Sequence, residues 1–357
     1  MRFTLPICLV LTLSGHAGNA ATSHPPVPDA QLMLLEEAFH LTATLGEKVW
    51  PGFSGAGAPV LLVVDEVEYL LGVEKPPRGF ELQPGREFLG VPVHARDRVL
   101  PGNLLATFPA VGFNVIVVGT PEATDRNPAH WVLTLAHEMF HILQGERGLD
   151  RRVLSLEIGK DGESDWHLNF PFPYEDPDVT NAMHILGFNL FRVATMPDTS
   201  ATDGLGYEAA TAGEALTNLF AILQWRSGDE RAANYLRYQT TKEGVARYVE
   251  FRLAEAATGG FYEPTEAFLK EHGKQAYRKI LESTYGMNML YQIKHAGRVS
   301  RNRVEFYSLG LGLALVLDEL GPDRWKEHYF EEGAWIDHLL EEALATDDSS
   351  RGCRLGD

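Results

Sequence analysis

The stretch LAHEMFHILQ, residues 135–144, places two histidines and a glutamate at a spacing that suits metal chemistry. Residues four apart lie on the same face of a helix, so His137 and His141 can direct imidazole nitrogens at one ion. Zinc accepts neutral imidazole and prefers tetrahedral coordination. Glu138, beside the first histidine, can take a proton from metal-bound water as a general base. The stretch therefore predicts two ligands and the catalytic base for one Zn²⁺ ion.

Two histidines on a helix are often only a packing or surface feature, and the flanking residues favour the metal interpretation. Asn127 is suited to the N-cap, Pro128 to the first helical position, and Gly145 follows the last periodic residue. These signals predict an active-site helix over residues 128–144. Apolar residues at three- and four-residue steps can bury one side of that helix: Val132, Leu135, Met139 and Ile142.

A catalytic zinc site usually has three protein ligands, so a third must come from elsewhere in the chain. The best candidate is Glu243 in TTKEGVARYVEFRLAE, residues 240–255, on a predicted helix. Glycine inside a helix costs about 1 kcal/mol relative to alanine, and Gly244 would offset that cost by allowing a second helix to approach closely. Glu250, on the same face, is a reserve ligand, and Glu214 is a weaker third choice.

The alternative for this segment is a solvated ladder of charge pairs between Glu243, Arg247 and Glu250. An oxyanion donor is also needed, and Tyr307 and Tyr248 are candidates, although buried tyrosines more often serve as core. Two isolated histidines and the two tyrosines are therefore left out of the predicted site, because such residues more often pack in a core: His94, His184, Tyr248 and Tyr307.

Composition and charge narrow the class of protein. The chain has 357 residues and a net charge of −18, which disfavours nucleic-acid phosphates and anionic lipids as partners. Residues 1–20 contain a short basic start, an apolar core and a small-residue cleavage site, which predicts a signal peptide and export to the periplasm or the medium. Once this peptide is removed, Cys353 is the one remaining cysteine, and no later segment is long enough to span a membrane.

The pattern along the chain predicts an α+β fold. Residues 21–125 are predicted to form a small α+β lobe, with a helix at about 29–49 followed by a mixed sheet. Residues 126–347 read as a larger, mainly helical lobe that begins with the active-site helix, and residues 348–357 as a flexible tail. A cleft between the lobes would receive the ligand.

The HEMFH helix and the distant E-G-x-A sequence resemble the gluzincin metallopeptidases over residues 113–145 and 240–251. The resemblance implies a zincin-like fold in which His137, His141 and Glu243 hold one zinc ion and Glu138 is the base. It also implies that the strand before the metal helix, within NVIVVGTPE, lines the cleft and pairs with an extended substrate. Glu243 lies farther along the chain than in the best-known gluzincins, and no G-x-M-E-N aminopeptidase sequence precedes the helix.

The sequence therefore predicts an exported zinc-dependent peptidase that hydrolyses peptide or protein substrates through metal-bound water activated by Glu138. Two alternatives remain open. One is a catalytically silent protein on the same fold that binds a metal or a peptide. The other is a helical structural protein without metal.

Overall fold

The computed structural model describes residues 24–55, 57–159, 166–196, 202–282, 284–321 and 324–352. The predicted signal peptide lies outside the described residues, as do residues 353–357 of the predicted tail. The last helix runs as far as Gly352, so the segment predicted as a tail begins inside it.

A six-stranded mixed sheet forms the N-terminal part of the fold. The strands are β1 (Val60–Val64), β2 (Val67–Leu71), β3 (Glu81–Phe88), β4 (Val91–Asp97), β5 (Leu105–Phe108) and β6 (Val115–Gly119). Their order is β3-β4-β2-β1-β6-β5, and β1 with β6 is the parallel pair. The β-branched runs in β1 and β6 are buried, as expected for central strands with both faces covered.

The rest of the described chain is mostly helical, which confirms the α+β prediction. The helices are α1 (Asp29–Val49), α2 (Pro128–Glu146), α3 (Leu149–Arg152), α4 (Pro177–Ala194), α5 (Thr202–Ser227), α6 (Arg231–Gln239), α7 (Val245–Thr258), α8 (Glu266–His272), α9 (Ala276–Glu282), α10 (Thr284–Lys294), α11 (Val304–Leu320), α12 (Arg324–His328) and α13 (Ile336–Gly352). A 3₁₀ turn, Val153–Leu156, follows α3, and a π-helical turn, Thr240–Gly244, joins α6 to α7.

One expectation about the sheet is wrong. The strand in NVIVVGTPE is β6, which pairs with β1 on one side and β5 on the other. Its backbone donors and acceptors are therefore engaged within the sheet, and it has no free edge for a substrate. The strand at that end of the sheet is β5, which the sequence pattern did not reveal.

The helix α2, which carries the H-E-x-x-H sequence, packs against α1, α7 and the strands β5 and β6. The indole of Trp131 donates a 2.8 Å hydrogen bond to the carbonyl of Gly119, which ties the start of α2 to the end of β6. Farther along, Met139 is buried and its sulfur lies 3.6 Å from the hydroxyl oxygen of Thr42 on α1. These contacts fix the rotation of α2 about its axis, and so the direction of its histidine side chains. Among the described residues, no helix has both the length and the apolar composition that crossing a membrane requires.

Candidate metal centre

The helix α2 supplies three residues of the candidate site. The side chain of Asn127 accepts a 2.9 Å hydrogen bond from the backbone of His130, so the predicted N-cap of α2 is confirmed. His137, Glu138 and His141 are all buried, and their candidate ligand atoms lie within 4.8 Å of one another. The predicted H-E-x-x-H group is therefore a buried cluster that could hold a metal ion.

Glu243 faces both histidines from the π-helical turn. Its Oε2 atom lies 3.2 Å from Nε2 of His141 and 3.7 Å from Nε2 of His137. Donor atoms about 2.0 Å from a tetrahedrally coordinated ion lie roughly 3.3 Å from each other, so these separations fit three ligands of one zinc ion. Glu243 is 9% exposed and Glu250 is fully buried. The solvated ladder of charge pairs is therefore wrong.

A contact between two glycines brings this turn to the site. A Cβ atom at Gly244 would overlap the backbone of Gly310 on α11, and a Cβ atom at Gly310 would overlap the carbonyl of Thr240. The close approach expected at Gly244 is present, but the approaching helix is α11 and not α2, which carries the two histidines. The π-helical turn itself contains Glu243, and such turns are frequent at functional sites.

The hydrogen bonds of Gln144 assign the tautomer of His141. Gln144 Nε2 donates to the carbonyl of Lys242 at 3.0 Å and to the hydroxyl of Tyr329 at 2.8 Å, and that hydroxyl donates to the carbonyl of Thr241. Gln144 Oε1 must then accept from Nδ1 of His141, at 2.6 Å.

This assignment leaves the lone pair of His141 Nε2 directed at the carboxylate of Glu243. Two electron-rich atoms 3.2 Å apart and buried repel each other unless a positive charge lies between them. A proton or a metal cation can supply that charge. The donor set therefore fits a divalent ion.

Charged side chains also lie on the Nδ1 side of the His137 ring. Oε2 of Glu250 lies 3.3 Å from its Nδ1, close enough for a charge contact but not aligned as a hydrogen bond, and Arg247 donates to the same carboxylate at 2.9 Å. Burial lowers the pKa of His137, but Glu243 and Glu250 outweigh it and raise the pKa to about 9. Burial raises the pKa of Glu243, and the two histidines overcome that effect and hold it well below its usual value.

Glu138 is held by a residue of the edge strand β5. The hydroxyl of Thr107 lies 2.8 Å from Oε2 of Glu138 and 3.1 Å from its main-chain carbonyl. A hydroxyl carries one proton, and the shorter contact places it on the carboxylate.

The two candidate oxyanion donors lie in different surroundings. The ring of Tyr307 stacks on that of His137, with centroids 6.1 Å apart, and burial together with Glu243 raises the pKa of its hydroxyl well above the usual value. The hydroxyl of Tyr248 donates instead to Asp318 on α11. Tyr307 therefore borders the cluster as a protonated donor.

The other candidates lie apart from the cluster. Glu214 is exposed on α5, in a groove between α5 and α13. His94 is buried in β4, and His184 on α4 stacks on His295. The sequence did not single out Thr107, Tyr329 or the role of Gln144. Only Gln144 carried a local signal, since a residue three positions after His141 lies beside it on a helix.

Comparison of this chain with models of known protein families, with curated proteins and with solved structures finds no match.

Proposed function

We propose that this protein is an exported, zinc-dependent peptidase with a zincin-like active site. The observation that carries the proposal is the position of Glu243 Oε2, which faces the Nε2 atoms of both histidines at distances that suit one ion. Glu138 lies in the same cluster. Two imidazoles, a carboxylate and an adjacent second carboxylate form the donor set and base of metal-assisted hydrolysis.

The proposed roles follow from the contacts. His137, His141 and Glu243 would hold zinc, which when bound supplies a Lewis acid that polarises a peptide carbonyl and makes water more acidic. Glu138 accepts a proton from the attacking water and delivers it to the leaving amine. The hydroxyl of Tyr307 donates to the oxygen on which negative charge develops.

Replacement of the base tests the proposal. Glu138→Gln keeps the size of the side chain but cannot take a proton at neutral pH, so it should keep one zinc per chain and lose peptide hydrolysis. Zinc is measured by elemental analysis and hydrolysis with a broad peptide library, with and without a chelator. The matched control is Glu146→Gln, which changes an exposed glutamate on the same helix and should keep both properties. A Glu138→Gln protein as active as the parent would refute the role of the base.

The burial of the cluster favours a second candidate, a protein that binds metal or peptide without turnover. His137, Glu138, His141 and Glu243 are each less than a tenth exposed, which restricts the approach of a substrate. This candidate predicts zinc binding and peptide binding but no chelator-sensitive cleavage. The same library separates the two functions.

A further inference from the structure

A basic loop borders the candidate metal centre. We define it as residues 294–303, KHAGRVSRNR, from the last residue of α10 to the residue before α11. It contains one lysine, three arginines and a histidine but no acidic residue, in a chain whose net charge is −18. Charges are screened over about 8 Å at physiological salt, so a ligand in contact with the loop meets its positive charge more than the negative charge of distant surfaces.

The fold holds this loop in one conformation. The buried carboxylate of Glu305 accepts hydrogen bonds from the backbones of Gly297, Ser300 and Arg301, at 2.9 to 3.2 Å. Gly297 adopts a φ of 75° and lies so close to the carbonyl of Thr180 on α4 that a side chain would overlap it. The backbone that carries the basic side chains is therefore preorganised, which lowers the entropy lost when a ligand binds.

Two arginines of the basic loop have no carboxylate within ion-pair distance among the described residues. Arg301 pairs with Glu175 at 2.9 Å, and the ammonium of Lys294 lies over the ring of Phe191. Arg298 is exposed and lines a groove with Pro177 and Asn181 of α4, whereas Arg303 is half-buried. A partly desolvated guanidinium without an anion is unfavourable and gains by binding one.

Arg303 connects the basic loop to the metal centre. Its guanidinium lies 5.9 Å from the ring centroid of Tyr307, and that ring stacks on His137. These contacts place the guanidinium no more than about 12 Å from the ring of His137. An extended peptide advances about 3.3 Å per residue, so a side chain up to three or four residues from the reacting bond can reach it.

We propose that Arg303 forms an anion-binding subsite that selects peptide substrates with an aspartate or glutamate side chain near the cleaved bond. The inference rests on the proposed function and assigns its substrate class. A carboxylate accepts two parallel hydrogen bonds from one guanidinium, which gives the subsite specificity as well as affinity.

The test measures binding apart from turnover. The zinc-loaded Glu138→Gln protein is titrated with two fluorescently labelled, alanine-rich ten-residue peptides that differ only in carrying two glutamates or two glutamines. We expect the glutamate peptide to bind about tenfold more tightly, with a preference that weakens as salt rises. Arg303→Gln should lose the preference, whereas Arg298→Gln, on the α4 side of the same loop, should keep it. Arg86→Gln, which removes a cation paired with Asp29 on another part of the fold, should keep it.

Three results would overturn the inference: equal binding of the two peptides, no binding of either, or a preference that survives Arg303→Gln. Competition by a short single-stranded oligonucleotide as effective as the glutamate peptide would also overturn it, since the loop would then be a general polyanion site. The parent protein is assayed for cleavage of both peptides in parallel. Preferential binding without any cleavage would support the subsite and refute the peptidase, whereas cleavage without preference would do the reverse.

Discussion

Oε2 of Glu243 lies 3.2 Å from Nε2 of His141, although 102 positions separate the two residues. The contact requires the π-helical turn, the crossing of α11 and the rotation of α2 to agree. Glu250 instead faces Nδ1 of His137, on the side of the ring away from Glu243. In the proposed metal site this arrangement would give the two glutamates different roles, Glu243 as a ligand and Glu250 as support behind the ligand His137.

We expect zinc binding to distinguish these two carboxylates. Glu243→Gln removes a proposed ligand and should lower zinc affinity at least about a hundredfold, whereas Glu250→Gln removes support behind a ligand and should lower it about tenfold. Competition with a chromophoric chelator measures both. The reverse order would identify Glu250 as the ligand.

The crossing of Gly244 and Gly310 predicts that a single methyl group disturbs the site from a distance. Gly310→Ala places a Cβ atom against the carbonyl of Thr240 and should destabilise the zinc-free protein by about 1–3 kcal/mol, with weaker zinc binding. Urea denaturation measures the free energy of unfolding. Gly260→Ala is the control, because a Cβ atom there has open space. Equal effects of the two substitutions would contradict the crossing.

Thr107 is expected to position the base. Thr107→Val removes the hydrogen bond to Glu138 and should lower kcat about tenfold and leave zinc affinity unchanged. Thr107→Ser keeps a hydroxyl and should restore most of the rate. If serine and valine behave alike, the hydroxyl has no part in positioning.

The pKa of His137 predicts how pH affects the zinc-free protein. Carboxylates raise this pKa to about 9, above the ordinary 6.5, so the charge contacts of protonated His137 stabilise the fold below pH 6.5. That stabilisation is lost as pH rises through about 9. Because zinc displaces the same proton, its affinity should rise over the same range.

Zinc titrations and thermal unfolding at several pH values measure both effects. Zinc-loaded protein should not lose stability between pH 6.5 and 9, since the bound ion replaces the proton. A zinc affinity that does not vary across this range would contradict the assignment.

The sequence by itself determined the features that depend on neighbours along the chain. The i,i+4 histidines, the N-cap at Asn127 and the limits of α1 follow from helical geometry and capping, which a few consecutive residues encode. The composition of the segments also predicted an α+β fold, and the glycine at position 244 marked a close approach of backbones.

The tertiary structure decided which distant groups meet. It placed Tyr307 and not Tyr248 beside His137, brought Thr107 to Glu138, and made β5 rather than β6 the edge of the sheet. None of these pairings leaves a periodic signal, because each depends on how elements far apart in sequence pack and on which of them cover each other. Local periodicity tells which face of a helix is buried, but only the packed molecule shows what lies against that face.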